Sequence, residues 1–451
     1  MDMNDSIKKL CEGLREYSAF DPALYQKYQV NRGLRRSDGT GVVAGITKVC
    51  NVHGYMLNEG ELEPIPGELI YRGYQITDLV HAVEAENRYG YEETAYLLLF
   101  GKLPNVQQLK EFRALVSALR PLPDGFVLDM IAKAPSNNIM NKMARSVLAL
   151  YSYDDDCEVR SLENEVRIAV SMIAHLPVIM SAAYQVKRQH FDGESLVMHP
   201  LRPEETNAQT ILSLLRLDRK YTEDEAHLLD ICMMLHAEHG GGNNSAFACR
   251  VLTSSGTDPY SAYAAAIGAL KGFRHGGANI KVVEQLDNFK AKIKNPENDG
   301  EVADFIRKVL RKEEGDGSGL IYGMGHAVYT LSDPRAVLLK ERGFALAKGK
   351  DIEADFRLLD TIERLTPALV AEKSARAAQK NVCANVDLYS GLVYRMLGIP
   401  AELLTPMFAV SRIAGWSAHR IEEVLTGGRI IRPAYKSVAK AVPYVPLAER
   451  E

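Results

Sequence analysis

The residues best suited to chemistry are histidines that stand beside glycine runs. His236 and His239 precede a run of three glycines, and His275 precedes a run of two. Glycine is a poor helix former, so a helix should end at the three-glycine run. The spacing of His236 and His239 then predicts one shared helical face, with His239 at the helix terminus.

His275 stands just ahead of a helical pattern that resumes near Ala278. The positive end of a helix dipole favours the neutral imidazole, which can donate a hydrogen bond to a developing enolate oxygen. The alternatives are structural histidines, or His236 and His239 as half of a metal site. The chain has no Cys-x-x-Cys or His-Glu-x-x-His motif, so we predict no metal site.

Two later stretches carry further candidates for catalysis. His326 ends a glycine-rich loop in which Gly323 and Gly325 would let backbone amides approach a ligand closely. Asp387 stands just before an apolar helix, where the structural alternative is a helix N-cap. A carboxylate base together with a neutral histidine suits proton abstraction next to a carbonyl.

Three arginines complete the set: Arg335 follows the His326 loop, Arg412 lies in an apolar helix, and Arg432 lies near the C-terminus. Arginine forks bind carboxylates with two parallel hydrogen bonds. These residues therefore predict a substrate with two or three carboxylates.

The elements that must position these residues are predicted to be almost all helices. Residues 40–75 are rich in Val, Ile, Thr and Gly, which predicts short strands or hairpins. From Val80 onward the pattern is helical, with helices over 206–217 and 223–239 and a helix stop at Gly101. The fold class is mainly α with this minor β region.

A change in composition divides the chain into two predicted domains. Residues 280–317 are rich in Lys and Glu, and apolar helices return near residue 390. We predict a large helical domain from residues 1–279 and 390–451, and a small helical domain from residues 280–389.

Bulk composition excludes several classes of function. The 451 residues are 46% hydrophobic and 25% charged, with a formal net charge of −4, which is ordinary for a soluble globular protein. No long basic run indicates nucleic acid, and we find no stretch apolar enough to span a membrane. The six scattered cysteines indicate free thiols in a reducing cytoplasm.

Several motifs, in order along the chain, identify a family. They are YRGYQITDL, AYLLLFGKLP, LHAEHGGGNNSAF, HGGANIK, GMGHAVY, SDPRA, ANVDLYSG, SRIAGWSAH and IRPAY. The chain resembles the citrate synthase family over about residues 41–435. The resemblance implies a two-domain, almost all-α homodimer that condenses oxaloacetate with acetyl-CoA through an enol or enolate, then hydrolyses citryl-CoA. It implies no permanently bound cofactor, with acetyl-CoA as co-substrate.

The resemblance also implies roles for individual residues. Asp387 resembles the base that removes a methyl proton, His275 the donor to the thioester oxygen, and His326 the group that polarises the oxaloacetate carbonyl. The remaining residues resemble binding groups: His239, Asn243, Arg335 and Arg412 for oxaloacetate, Arg432 for the neighbouring subunit's site, and Gly323, Gly325 and Ala327 for CoA.

Three alternatives stay open. A 2-methylcitrate synthase would share these motifs and use propionyl-CoA, and one methylene in a pocket discriminates by only about 1–3 kcal/mol. A non-catalytic helical binding protein could keep the fold, and a metal-dependent lyase or hydrolase could use His236 and His239.

Basic residues often follow the family's equivalent of His326. Here Ala327 and Thr330 occupy those positions, so the residues that bind the CoA phosphates are not predicted.

Overall fold

The structure is a computed structural model that describes residues 3–12, 14, 18–19, 21–36, 40–59, 61–372, 381–426 and 428–450. The chain forms two compact units. Met1–Ile46 and Ile431–Glu451 form one, which we call the terminal unit, and Thr47–Ile430 form the other, the helical body.

The terminal unit holds short elements. Its helices are α1 (Met3–Cys11) and α2 (Ala23–Lys27), with 3-10 turns at Arg32–Leu34 and Leu447–Glu449. Many of its large apolar side chains are exposed, Ile46 and Tyr435 each to 94%. Arg432 lies in this unit and is exposed.

The predicted β region is confirmed and begins at Cys50. Strands β1 (Cys50–Asn58) and β2 (Glu61–Tyr71) form an antiparallel hairpin, and β3 (Tyr74–Gln75) pairs with the end of β2. The register of the hairpin shifts at Gly54, between His53 and Tyr55. We call β1 and β2 together the hairpin.

The rest of the helical body is built from helices, which confirms the mainly α fold class. A π-helical turn spans Val127–Ala132, and 3-10 turns span Tyr151–Tyr153 and Ala401–Leu403. The α-helices are α3 (Ile76–Ala85), α4 (Tyr91–Phe100), α5 (Val106–Ala118), α6 (Ile139–Leu150), α7 (Leu162–Phe191), α8 (Asn207–Leu215), α9 (Glu223–His236), α10 (Asn244–Ser254), α11 (Pro259–Lys271), α12 (Ala278–Lys292), α13 (Asp299–Leu310), α14 (Pro334–Ala347), α15 (Glu353–Ala371), α16 (Val386–Met396) and α17 (Leu404–Leu425).

Helix α17 is the centre of the core. Every residue from Leu404 to Ile421 is buried, as expected of a helix surrounded by others. It packs against α4, α7, α9, α10 and α11. Any charged side chain on this helix must therefore find a partner inside the protein or inside a binding site.

Local sequence signals set most helix ends as predicted. Helix α4 ends at Gly101, whose φ of 78° lies in the left-handed region that favours glycine. Helices α8 and α9 begin with capping boxes formed by Thr206 with Gln209 and by Thr222 with Glu225.

The predicted end of α9 is wrong by three residues. The helix ends at His236, so His239 lies beyond it in the loop that leads to α10. The two histidines do not share a helical face, because the chain leaves the helix one turn before the glycine run.

Helix α7 corrects the prediction that no stretch could span a membrane. It is long and apolar enough to do so by length and composition, but 78% of its most apolar stretch is buried inside the protein. It packs against α6, α8 and α17, which makes it a core helix.

The Lys- and Glu-rich segment contains α13 and most of α12. Helix α16 packs against α12, α14 and α15. The division into domains at residues 279 and 389 stays a prediction.

Candidate active site

The loop after α9 brings two buried histidines into the site. Nε2 of His239 has no hydrogen-bond partner among the described residues, and His236 is fully buried. Burial lowers the pKa of both imidazoles well below the usual range, and the charges of Arg335 and Arg412 lower it further. Both rings are therefore neutral, and Nε2 of His239 is left to bind a ligand.

A buried pair that sequence reasoning missed holds this loop. Glu238 Oε1 lies 2.9 Å from His419 Nε2, and Arg250 Nη2 donates to His419 Nδ1 at 2.7 Å. Since Nδ1 accepts, Nε2 carries the proton and donates it to Glu238. Burial alone would raise the pKa of Glu238. The opposing effects of His419 and Arg412 are larger, so the pKa is lowered overall. The sequence signal that could have identified this pair is the presence of Glu238 and His419 within apolar stretches that read as helical.

His275 lies in the turn between α11 and α12. Its Nε2 is 3.1 Å from Ser245 Oγ, which also accepts a hydrogen bond from Trp416 Nε1 at 3.2 Å. Burial, and then Arg412, lower the pKa of His275 to about 4, so the ring is neutral at pH 7. Burial is the largest cause of this lowered pKa.

Asn243 caps α10. Its Oδ1 accepts a hydrogen bond from Ser245 N at 3.3 Å and lies 2.9 Å from Ser245 Oγ, whose single proton goes either to Asn243 Oδ1 or to His275 Nε2. Ser245 therefore links the cap to His275. Ser245 was not predicted as a site residue, because nothing local shows that α10 and the α11–α12 turn meet.

The glycines before His326 allow a close approach to the Asp387 segment. Gly323 and Gly325 have φ of 81° and 94°, and a Cβ on Gly323 would lie 2.8 Å from Leu388 Cα. Gly325 N donates to Cys383 O at 2.7 Å, so this amide is not free to bind a ligand. Ala327 is exposed. The role of this loop in binding CoA stays a prediction.

Backbone hydrogen bonds set the tautomer of His326. Its Nδ1 accepts from Val328 N at 3.1 Å and from Tyr329 N at 3.0 Å. A neutral ring that accepts at Nδ1 carries its proton at Nε2. The ring centroids of His326 and His239 are 5.1 Å apart and nearly perpendicular. His326 thus presents an N–H donor beside His239.

Asp387 is not the cap of its helix, so the structural alternative for this residue is wrong. Asn385 caps α16 by accepting from Asp387 N at 2.9 Å. The Asp387 carboxylate accepts no hydrogen bond from the part of the chain that the structure describes. Burial raises its pKa to about 6, Asp333 adds to the rise, and Arg335 and Arg412 oppose it. These features are typical of a general base.

The two buried arginines differ in their partners. Arg335 is bound by Asp333, with Nε to Oδ1 at 3.0 Å and Nη2 to Oδ2 at 2.7 Å. Arg412, 4% exposed, contacts only the His236 carbonyl at 3.4 Å and the Phe408 ring. Within the described residues Arg412 has no carboxylate partner. A buried guanidinium in this state suits an anionic substrate.

The structure thus brings His239, His275, His326, Arg335, Arg412 and Asp387 to one site. No described group of three or more His, Cys, Asp or Glu residues could hold a metal ion. An isolated base, neutral imidazole donors and an unpaired arginine define the class: an enzyme that removes a proton next to a carbonyl and binds a small polycarboxylate.

Comparisons with known proteins agree with this class. The family model for the citrate synthase C-terminal domain matches residues 37–434. Citrate synthase from Synechocystis sp. is 32% identical, over 91% of this chain and 92% of that protein. The 2-methylcitrate synthase 1 of Corynebacterium glutamicum is 30% identical, over 94% and 99% of the two chains.

A solved structure is also similar. It is citrate synthase from Thermoplasma acidophilum in a ternary complex with carboxymethyl coenzyme A and oxaloacetate, with a TM-score of 0.74, 27% identity, and coverage of 90% of this chain and 97% of that one. The chain belongs to the citrate synthase family.

Proposed function

We propose that this protein condenses acetyl-CoA with oxaloacetate and hydrolyses the resulting citryl-CoA to citrate and CoA. The observation that carries the proposal is that one site holds a half-buried Asp387 carboxylate and a buried Arg412, neither of which has an ion-pair partner among the described residues. The related Thermoplasma enzyme binds oxaloacetate and a CoA derivative, which supports the same ligands here.

The arginines and His326 would bind the keto acid. Arg412 is free to take a carboxylate with two parallel hydrogen bonds, and Arg335, oriented by Asp333, takes the other. The Nε2–H of His326 then donates to the keto oxygen, which makes the carbonyl carbon more electrophilic. His239 and Asn243 add polar groups around the same ligand.

Asp387 would take a proton from the methyl group of acetyl-CoA, leaving an enol or enolate whose oxygen accepts a hydrogen bond from Nδ1–H of neutral His275. In this tautomer His275 Nε2 accepts the hydroxyl proton of Ser245. The methyl carbon then forms a bond to the keto carbon of oxaloacetate. The keto oxygen becomes an alkoxide and takes the proton from His326 Nε2. Water finally cleaves the thioester, CoA leaves as the thiol, and a proton from the new carboxylic acid restores the Nε2–H of His326.

The direct test is thiol release from acetyl-CoA in the presence of oxaloacetate, repeated with propionyl-CoA. We expect kcat/KM to favour acetyl-CoA, by about 10- to 200-fold if the acyl pocket excludes one methylene. A preference for propionyl-CoA would identify a 2-methylcitrate synthase, an outcome that the Corynebacterium relative keeps open. No release with either thioester would favour the non-catalytic alternative, and loss of activity with a chelator would favour the metal-dependent one.

We also propose that the protein is a homodimer in the cytoplasm and that Arg432 acts in the neighbouring subunit's site. Exposed apolar side chains in the terminal unit and the exposed Arg432 support an arm that binds a second copy. All six cysteines are free, which supports a reducing compartment.

The pKa of Asp387 predicts how activity depends on pH. The carboxylate must be ionised to accept a proton, and its pKa in the substrate-free protein is about 6. We therefore expect kcat/KM for acetyl-CoA to fall with unit slope as the pH falls below about 6. His275, with its pKa near 4, stays neutral over this range. A rate that is flat from about pH 7 to pH 5 would contradict the assignment of Asp387 as the base.

A further inference from the structure

The hairpin lies against both polar loops of the candidate site. On one side, Val52 Cγ2 would be 3.2 Å from a Cβ placed on Gly240, next to His239. On the other side, both strands contact residues 328–332, which follow His326 directly. We call residues 326–332 the histidine loop.

Both strands touch the histidine loop at a glycine. A Cβ on Gly54 would lie 2.8 Å from Val328 O, and a Cβ on Gly67 would lie 2.2 Å from Ser332 O. Neither glycine has a positive φ. The lack of a side chain, rather than an unusual backbone conformation, is therefore what lets the strands approach the loop.

Hydrogen bonds join the same surfaces. Gly67 N donates to Ser332 O at 3.1 Å and to Ser332 Oγ at 3.2 Å. The hydroxyl of Tyr329 donates to Glu68 O at 3.0 Å. Tyr329 is 1% exposed, so this hydroxyl would lack a partner if the hairpin moved away.

Tyr329 also holds His326. The two rings are stacked, with centroids 4.6 Å apart and planes 20° apart, and Tyr329 N donates to His326 Nδ1. One end of Tyr329 is thus fixed by the hairpin, while its ring and backbone fix the orientation and tautomer of His326.

We propose that Tyr329, anchored by the Gly67–Glu68 segment of β2, is a positioning residue that aims the Nε2–H of His326 at the keto oxygen. The proposal rests on the proposed function of His326. It assigns the hairpin a role in the condensation step and none in proton removal by Asp387.

The test separates these two steps. Tyr329→Phe keeps the ring and the backbone N–H but removes the anchoring hydroxyl. We expect kcat for condensation to fall about tenfold, since one hydrogen bond that orients the donor is lost. Proton removal is measured separately, as loss of deuterium from the methyl group of acetyl-CoA. L-malate replaces oxaloacetate in this assay, because it is a dicarboxylate without a keto group and cannot condense. The rate of deuterium loss should change by less than about twofold.

Tyr260→Phe is the matched control. Tyr260 is 4% exposed, and its hydroxyl donates to Asp154 Oδ2 at 2.6 Å, in contacts separate from the histidine loop. Tyr260→Phe also removes a buried, hydrogen-bonded tyrosine hydroxyl. The rates of condensation and of deuterium loss should both stay within about twofold of the parent. Equal condensation rates in the two tyrosine variants, or an equal decrease in the rates of condensation and deuterium loss in Tyr329→Phe, would overturn the proposal.

A graded pair of glycine variants tests the hairpin itself. Gly67→Ala should lower kcat more than Gly54→Ala, because its Cβ would lie closer to the loop, and misplacement by about 1 Å can cost about 10²-fold. Gly268→Ala, with nothing within 4 Å of its Cβ, is the control. Full activity in Gly67→Ala would count against an anchor at this strand.

A measurement without turnover distinguishes this inference from the proposed function. The measurement is NMR of protein with isotope-labelled histidine, in which the His326→Gln variant identifies the His326 signals. The parent protein should show His326 protonated at Nε2 only. Tyr329→Phe should show a mixture of tautomers. An unchanged His326 signal would overturn the positioning role, whichever thioester the enzyme accepts. Absence of thiol release from the parent would overturn the proposed function alone.

Discussion

Asp387→Asn should remove nearly all turnover while leaving oxaloacetate binding largely intact. The amide keeps the shape of the side chain but cannot accept a proton, and a positioned general base contributes about 10²–10⁴-fold. The helix should survive the change, because Asn385 rather than Asp387 caps α16. Steady-state thiol release gives kcat, and calorimetry with oxaloacetate alone gives the binding constant.

Asp299→Asn is a matched control for this experiment. Asp299 also lies in the first turn of a helix, but it is exposed and paired with Arg364 at 2.7 Å. We expect its kcat to equal that of the parent, since exposed ion pairs contribute little. If Asp387→Asn kept a kcat near the parent value, another group would have to be the base.

If Arg432 contributes to the active site of the neighbouring subunit, mixed dimers of two inactive variants should regain activity. Arg432→Ala and Asp387→Asn would each have almost no turnover alone. After dissociation and reassembly of an equal mixture, a mixed dimer has one site with both defects and one site with neither. Random reassembly makes half of the dimers mixed, so activity should return to about a quarter of the parent value.

The outcome depends on showing that mixed dimers form. Different affinity tags on the two variants allow the mixed species to be isolated and assayed. Each variant dissociated and reassembled alone is the control and should stay inactive. If the isolated mixed dimers remain as inactive as the two variants alone, Arg432 acts in its own subunit or has no role in the site.

Local chemistry in the sequence was enough to predict most elements and the identity of the candidate groups. The stop at Gly101 depends on backbone preferences within a few residues, whereas the glycine run after His239 predicted a helix end three residues too late. The ordered motifs identified the family, which the comparisons show. The shift in composition near residue 280 predicted a domain boundary, which stays a prediction.

The tertiary structure decided which polar group meets which. Glu238 and His419 are 181 residues apart, and Tyr329 and Glu68 are 261 residues apart. No local pattern specifies such pairs, because they depend on how whole helices and the hairpin pack.

The same packing decided the chemical state of each candidate group. The Asp387 carboxylate is left without a hydrogen-bond partner among the described residues, and Asn385 rather than Asp387 caps the helix. Asp333, two residues away, holds Arg335, whereas Arg412 lies within the buried helix α17 and has no carboxylate partner among the described residues. Burial in low-dielectric surroundings then raises the pKa of Asp387 and lowers that of His275, which local sequence determines only in part.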